Sequence, residues 1–375
     1  MDFELTEEQS LLRDTVRDLL ARTYDPETRL KVTATELGWS REVWKQLAEL
    51  GVLGLPFAED DGGAGAGPVE AMVVLEEVGR RLAPEPIVDA VYLPGSLIDA
   101  VGSAEQRARI LPELASGATL FAFAHAEPGV RWPSTEIAAA ATESGDGYTL
   151  TGTKNPVAHG DVADELLVSA TLPGGGLGLF LVSPTGSGVT RRTYRTVDGL
   201  RGAQIDLDNA PAELLGDAGD AAQAVERALI GVHALLCAES VGAMEEALRL
   251  TTDYLRTRKQ FGVTLSKFQT LTQRAANMYV SLELARSSSL YATASLADGT
   301  ADPVIASRTR LQVGRSGRHV GQEAVQMHGG IGVTAEYPVG HYVARLTAIE
   351  RTLGGGLDHL AVLAARVGDH DLPEL

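Results

Sequence analysis

The sequence is poor in cysteine and in aromatic residues. Its 375 residues include one cysteine, Cys237, and only 5% are aromatic. A single thiol excludes a disulfide framework or a thiolate metal cluster within one chain, so we predict no metal site. The apolar neighbours of Cys237 favour a small core residue. The core must therefore rest mainly on Leu, Val, Ile and Ala.

Positive charge and long apolar runs are also scarce. The formal net charge is −18, with 50 Asp and Glu against 32 Lys and Arg. Nucleic-acid binding needs a basic surface, so we expect no nucleic-acid partner. No uninterrupted apolar run approaches the ~20 residues that cross a membrane, and the acidic start of the sequence lacks a signal-peptide pattern. We therefore expect a cytoplasmic protein with no membrane association.

Periodicity divides the chain into three parts. Residues 1–117 show helical spacing of apolar residues, 118–217 show short strands separated by turns, and 218–375 return to long helical patterns. Four long helices with short connections indicate a bundle. The expected fold class is α+β, with an N-terminal α-helical domain, a middle β-barrel or sandwich domain and a C-terminal four-helix bundle.

Local signals mark several element ends. Thr6, with Gln9 three residues later, predicts a capping box, and a short helix is expected after Ser103. Gly145–Gly147 lies between two strand-like runs and predicts a hairpin. Asp208–Pro211 is expected to separate strands, and Gly354–Gly356 to break the last long helix.

Two stretches of the last part contain candidate binding residues. Arg256–Gly262 places three cations beside a phenylalanine and a helix-ending glycine. Such charges can hold a phosphate, although Arg and Lys are favoured at any solvated helix C-terminus. In Gln326–Gly332, three glycines allow close approach of a ligand, to which Gln326 and His328 could hydrogen-bond. A plain helix C-cap is the alternative, and no strand precedes these glycines as a Rossmann or P-loop fingerprint requires.

Together with four earlier motifs, these stretches resemble the acyl-CoA dehydrogenase family over essentially the whole chain. The earlier motifs are Leu55–Gly63 (like P-E-x-x-G-G), Leu75–Arg80 (like E-E-(L/V)-G), Asp146–Lys154 (like D-G-x-x-L-x-G-x-K) and Asp198–Gly202 (like G-(L/M)-R-(G/S)). The resemblance implies FAD as cofactor, an acyl-CoA substrate and an electron-transfer flavoprotein as electron acceptor. In the family reaction a glutamate removes the α-proton while a hydride passes from the β-carbon to the flavin.

The sequence departs from the family where the flavin ring is expected. In the family's T-E-P-x-A-G-S-D segment, Ala126 replaces the threonine, and Arg131 and Trp132 stand where small polar residues are expected. In its K-x-W-I-(T/S) strand, Pro156 replaces the tryptophan and Ala158 the hydroxyl residue. Proline cannot stack like an indole, and alanine has no donor. The resemblance therefore implies that contacts to the chain's own flavin ring are lost.

The catalytic glutamate of the family is also missing. Counting along the family's Y-E-G-T segment places Thr352 at the base position, or Arg351 with one gap, and neither is a base at neutral pH. Glu350 is the nearby carboxylate, but a shift of one or two residues on a helix turns it ~100–200° away. Some family members carry the base on the first long bundle helix, where Val232 aligns and Glu239 lies two turns later. We therefore assign no catalytic residue and keep Glu239 and Glu350 as candidates.

Residues that would reach a neighbouring subunit are retained. In the family, the R-K-x-F-G and Q-x-x-G-G segments cross a dimer interface and hold the ADP half of the neighbour's FAD. Arg258 would contact the pyrophosphate, with Gln260 and Phe261 near the adenosine. By resemblance, the cofactor-binding residues are Arg258, Gln260, Phe261, Gln269, Gln326, Gly329 and Gly330.

This sorting predicts a partner-dependent subunit. Some bacterial acyl-CoA dehydrogenases, notably those acting on sterol side chains, are α2β2 heterotetramers, and this chain resembles the subunit that lacks the base. One alternative is a self-sufficient homotetramer with its base at Glu239 or Glu350. Others are a non-catalytic binding or assembly subunit and a relative with other flavin chemistry. The acyl chain stays open, and a bulky or sterol-derived CoA ester is an expectation by analogy.

Overall fold

The computed structural model describes residues 4–130, 132, 137–145, 147–217 and 219–369. The α-helices, in chain order, are α1 Glu7–Thr23, α2 Pro26–Ala34, α3 Arg41–Glu49, α4 Pro68–Arg81, α5 Leu93–Val101, α6 Ala104–Ala115, α7 Ala222–Thr257, α8 Gln269–Ala297, α9 Pro303–His328, α10 Val339–Arg351 and α11 Gly356–Ala365. The strands are β1 Phe121–Ala124, β2 Ala140–Ser144, β3 Gly147–Ala158, β4 Glu165–Thr171, β5 Leu177–Val182, β6 Val189–Arg195, β7 Arg201–Leu214, β8 Lys259–Gln260 and β9 Val263–Thr264.

The chain forms two compact units. One contains residues 1–30, 68–83 and 233–375, and the other contains residues 31–67 and 84–232. The predicted boundaries after residues 117 and 217 stay a prediction.

The helical unit is built around α7, whose apolar residues pack against α8, α9 and α10 in one core. Helix α7 is, among the described residues, the helix long and apolar enough to cross a membrane, but 78% of its most apolar window is buried. That burial is what the core helix of a bundle requires. We therefore interpret α7 as a core helix.

Two glycines allow α4 and α7 to cross in direct backbone contact. A Cβ atom added to Gly79 would lie 1.9 Å from the carbonyl oxygen of Glu239, and one added to Gly242 would lie 1.8 Å from that of Glu76. Any side chain at either position would overlap the opposing helix. The crossing also sets the position of Glu239 relative to α4.

The strands of the second unit close into a barrel. The pairings run β4–β2–β3–β7–β5 and return to β4, with β1 beside β4 and β6 beside β7. Apolar side chains such as Leu150, Val168, Phe180 and Ile205 fill the interior. Strands β2 and β3 are antiparallel neighbours around Gly145, as the predicted hairpin requires, although Asp146 at its tip lies outside the described residues.

The expected break at Asp208–Pro211 is wrong, because β7 continues through it to Leu214. Asn209 has a positive φ of 51°, and the pairing register between β3 and β7 shifts there. Asn tolerates the left-handed conformation, so residues typical of a turn here form a β-bulge inside a strand.

Most other helix ends follow the sequence signals. Thr6 and Ser103 both form capping boxes, with Gln9 and Gln106 as the reciprocal partners. The last long helix is broken between α10 and α11 at the predicted glycines. Helices α2 and α5 were not predicted.

Candidate functional site

The first candidate segment forms a small hairpin between α7 and α8. Strands β8 and β9 pair antiparallel, and the two residues between them, Phe261 and Gly262, both have positive φ values of 53° and 80°. Two positive φ angles are typical of a type I′ turn. Phe261 stands at this tip with 92% of its surface exposed. Arg258 and Lys259 are exposed and have no ion-pair partner among the described residues.

The second candidate segment is the end of α9. Gln326 is exposed on its last turn, and the chain leaves the helix through Gly329 and Gly330, which are also exposed. Gly329 has a φ of 65°, and a Cβ atom added to either glycine would meet no atom within 4 Å. The glycines therefore form a C-cap and also leave open space in front of the backbone. The C-cap is observed, and ligand binding by this stretch stays a prediction.

The two segments lie at the same end of the bundle. Contacts such as Arg274 with Glu323, at 2.5 Å, connect the beginning of α8 to the end of α9. At the end of α7, the ring of Tyr254 lies 4.5 Å from that of His328 on α9. Gln269 is the first residue of α8 and is exposed at this end as well. Exposed cations, an exposed aromatic ring and open backbone suit the phosphates and adenine of a dinucleotide.

His328 does not do what the sequence indicated. Only 4% of it is exposed, its Nδ1 atom lies 2.7 Å from the carbonyl oxygen of Ala324, and its Nε2 atom lies 3.2 Å from the hydroxyl of Tyr337. The expectation that it hydrogen-bonds to a ligand is therefore wrong, because both ring nitrogens face the protein interior.

The two segments expected near a flavin ring lie side by side in the β unit. The amide of Asn155 donates to the carbonyl oxygen of Ala126 at 2.8 Å. Below them, the Lys154 ammonium donates to Glu127 Oε1 at 2.8 Å, and the amides of Ala138 and Ala139 donate to the same carboxylate. Burial opposes ionisation of Glu127, but these hydrogen bonds outweigh it and lower its pKa. The backbone and buried hydrogen bonds that hold the two segments together, here called the framework, are therefore all formed.

On this framework, the exposed side chains of β3 at positions 156 and 158 are apolar. Pro156 and Ala158 are exposed on β3, while Val157 between them is buried. Neither exposed side chain has a donor. Trp132 is half-buried, and Arg131 lies outside the described residues.

Glu239, the first candidate base, is held by an arginine. It is 3% exposed, and Arg345 donates to both of its carboxylate oxygens at 2.6 and 2.8 Å. A bidentate pair of this kind occupies lone pairs on both carboxylate oxygens. Glu239 is therefore arranged as a structural partner of Arg345 rather than as a proton acceptor.

Glu350, the second candidate, caps a helix. It accepts from the Gly356 amide at the start of α11 at 3.1 Å, and pairs with Arg318 at 3.2 Å and Arg351 at 3.0 Å. An anion at a helix N-terminus is favoured by the unpaired amides and the helix dipole. Its surroundings therefore assign it to the α10–α11 connection.

Sequence reasoning missed Arg310, which fixes this connection. Its guanidinium is 4% exposed, and its Nη2 donates to the carbonyl oxygens of Ile349 and Thr352 at 2.6 and 2.7 Å. Thr352 is the residue aligned with the family's base, so the backbone at that position is held from the core. Because α9 carries four arginines between residues 308 and 318, the sequence offered no signal that singles out Arg310.

Models of the acyl-CoA dehydrogenase family match three consecutive parts of the chain. The N-terminal domain matches residues 6–118, the middle domain residues 122–209 and the C-terminal domain residues 223–366. The chain belongs to the acyl-CoA dehydrogenase family. Members of this family are FAD-dependent oxidoreductases with a helical, a β and a second helical domain, which confirms the predicted α+β fold.

Individual acyl-CoA dehydrogenases match nearly the full length. FadE28 of Mycobacterium tuberculosis is 31% identical, with 98% of this chain and 99% of the relative covered. A solved variant of the Tcur3481-Tcur3483 steroid ACAD is 32% identical, covers 97% of this chain and 98% of its own, and has a TM-score of 0.88. The ChsE4-ChsE5 complex from Mycobacterium tuberculosis is 27% identical, with 99% and 100% covered and a TM-score of 0.90.

Proposed function

We propose that this chain is the subunit of a FAD-dependent acyl-CoA dehydrogenase that completes the nucleotide site of a catalytic partner subunit, within an α2β2 heterotetramer. The observation that carries the proposal is a contrast within the helical unit. The segments for the nucleotide are exposed and open, whereas both candidate bases, Glu239 and Glu350, are occupied by arginines.

FAD fits one part of this chain and not the other. Arg258 and Lys259, which have no ion-pair partner among the described residues, offer positive charge for the pyrophosphate. Contacts for the adenosine come from Gln260, Phe261 and Gln269. Beside Gln326, the backbone of Gly329 and Gly330 allows the nucleotide to approach closely. The side chains of Pro156 and Ala158 offer the flavin ring no hydrogen bond. When bound, the flavin supplies the acceptor for the substrate's hydride. This chain's part is to bind and orient the nucleotide end.

The exposed face of α8 supports a neighbouring subunit. The residues of this 29-residue helix that are exposed as a whole, such as Tyr279, Val280 and Leu284, are uncharged, although the Glu283 side chain beside them is 42% exposed. Its three charged residues, Arg274, Glu283 and Arg286, are used in ion pairs within the chain. In a chain of net charge −18, a long uncharged helix face is where a second acidic subunit can approach without repulsion. This face begins at Gln269, beside the proposed nucleotide segments.

For the substrate, we propose an acyl-CoA thioester with a bulky acyl group. Two of the similar solved structures are named as a steroid ACAD and as a complex of two different chains. Those names support a heteromeric enzyme and a sterol-derived ester for this chain. We further propose that the electrons pass to an electron-transfer flavoprotein and that the protein is cytoplasmic.

The deciding experiment is co-purification. The chain is expressed alone and together with the acyl-CoA dehydrogenase encoded beside it, and flavin is counted per polypeptide by absorbance after denaturation. We expect a colourless chain alone and a yellow complex with one FAD for every two polypeptides. A homo-oligomer with a full complement of FAD and acyl-CoA turnover would contradict the proposal and support a self-sufficient enzyme. A complex without flavin would support an assembly subunit.

A further inference from the structure

Three aromatic rings pack together beside the two nucleotide segments, which are residues 258–262 and 326–330. The ring of His328 lies 4.5 Å from that of Tyr254 on α7 and 4.8 Å from that of Tyr337, just before α10. The two tyrosine rings are 6.2 Å apart. His328 is buried, so these contacts help to shield its ring from water. The cluster therefore joins three parts of the helical unit.

Two of the three rings, those of Tyr254 and His328, belong to residues that connect directly to a nucleotide segment. The carbonyl oxygen of Tyr254 accepts from the Arg258 amide at 2.8 Å, one helical turn later. His328 immediately precedes Gly329, and the following turn packs back on it, since a Cβ atom added to Gly332 would lie 3.0 Å from the His328 Cβ. A shift of the histidine ring would therefore move the Arg258 segment relative to the glycines.

The polar edges of the ring set its orientation. A carbonyl oxygen can only accept, so Nδ1 of His328 donates to Ala324, and Nε2 is left to accept from the Tyr337 hydroxyl. Burial, opposed by the carbonyls of Ala324 and Leu250, lowers the pKa of His328, so the ring is neutral at pH 7. Phenylalanine could keep the ring contacts but not these two hydrogen bonds.

We propose that His328 is a positioning residue, which holds the Arg258 segment and the Gln326–Gly330 segment at the spacing that the ADP half of FAD requires. The inference rests on the proposed function for its ligand. The coupling of the two segments through the ring requires neither a ligand nor a partner subunit. The coupling and the proposed function can therefore be tested separately.

The first test measures the coupling without any ligand. Amide hydrogen exchange of residues 258–262 and 329–332 is compared in the isolated chain for wild type, His328→Phe and Tyr337→Phe. We expect faster exchange in both segments together, about 10-fold for His328→Phe and less for Tyr337→Phe. His359→Phe is the matched control, because His359 is also a buried histidine of this unit, at 1% exposure, but lies on α11. It should leave both segments unchanged.

The second test measures ADP binding by titration calorimetry with the same variants. We expect His328→Phe to weaken ADP binding about 10-fold and His359→Phe to leave it unchanged. Exchange that changes in one segment only, or in neither, overturns the role of His328. Should the wild-type chain show coupled exchange and yet fail to bind ADP in the presence or absence of its partner, the proposed function fails instead. ADP binding equal in wild type and His328→Phe also overturns the inference.

Discussion

Glu76 on α4 shares its surroundings with two other carboxylates. Its side chain is 16% exposed, and the guanidinium of Arg286 lies 3.8 Å away. Arg286 also pairs with Glu245 at 2.8 Å, and Arg80 pairs with both Glu245 and Glu77. Burial, opposed by Arg286 and reinforced by Glu245 and Glu77, raises the pKa of Glu76 to about 7. Glu76 is therefore the carboxylate of this network that is least compensated.

This raised pKa predicts a stability that falls as pH rises. The folded state holds the Glu76 proton more tightly than the unfolded state, whose ordinary pKa is 4.5. The free energy of unfolding should therefore decrease from pH 4.5 to about 7, by about 2 kcal/mol for this group. Glu76→Gln should remove that decrease and be more stable than wild type at pH 8, as measured by urea unfolding at pH 5 and 8.

Glu283→Gln is the control, because Glu283 also faces Arg286, at 3.6 Å, but is 42% exposed. Its unfolding curve should keep the pH dependence of wild type. Equal pH dependence in Glu76→Gln and wild type would remove the role assigned to burial.

Glu239 gives a second residue-scale prediction. Replacing it by glutamine removes the carboxylate that pairs with Arg345, whose side chain is 17% exposed, and we expect this to cost up to about 3 kcal/mol. We expect Glu239→Gln to lower the urea midpoint strongly but to leave flavin reduction by acyl-CoA unchanged in the assembled complex. Removing both partners, with Glu239→Leu and Arg345→Met, should recover part of the stability. Loss of flavin reduction at wild-type stability would show that Glu239 is the base.

At the scale of elements, the crossing of α4 and α7 depends on the absence of a side chain. Gly242→Ala would place a Cβ atom 1.8 Å from the Glu76 carbonyl oxygen, so the helices must separate. We expect a loss of about 3 kcal/mol or more in the free energy of unfolding, measured by urea titration. Gly231→Ala on the same helix meets no atom within 4 Å and should raise stability by about 0.5–1 kcal/mol. Similar effects of the two substitutions would contradict this account of the crossing.

The sequence predicted the elements well where the signal is local. The capping box at Thr6, the helix start after Ser103 and the glycine break after α10 depend on neighbouring residues, and the structure contains all three. The bulge at Asn209 was missed because its partner strand lies about 60 residues away, and a local pattern cannot distinguish a bulge from a turn. Local signals therefore locate helix ends but not strand continuity.

The candidate site shows the same limit. The exposure of Phe261 at a hairpin tip follows from a short local turn, although the sequence predicted no hairpin there. The burial of His328 depends on Tyr254 and Tyr337 from other elements, and the ion pair of Glu239 on Arg345, over 100 residues later. Pattern and resemblance indicated the two candidate segments, but not which of their side chains are buried by contacts with distant residues.

At the scale of the whole molecule, assembly should depend on the uncharged face of α8. Leu284 lies on this face with 53% of its surface exposed. Leu284→Glu adds a charge at an exposed position, so the isolated chain should keep its urea midpoint to within about 0.5 kcal/mol. Burying that carboxylate against a partner subunit without a counter-charge is unfavourable, so the co-expressed complex should lose FAD and dissociate on size-exclusion chromatography. Leu11→Glu on α1, where Leu11 is 69% exposed, is the matched control and should leave the complex intact. A yellow, intact complex carrying Leu284→Glu would show that the partner docks elsewhere.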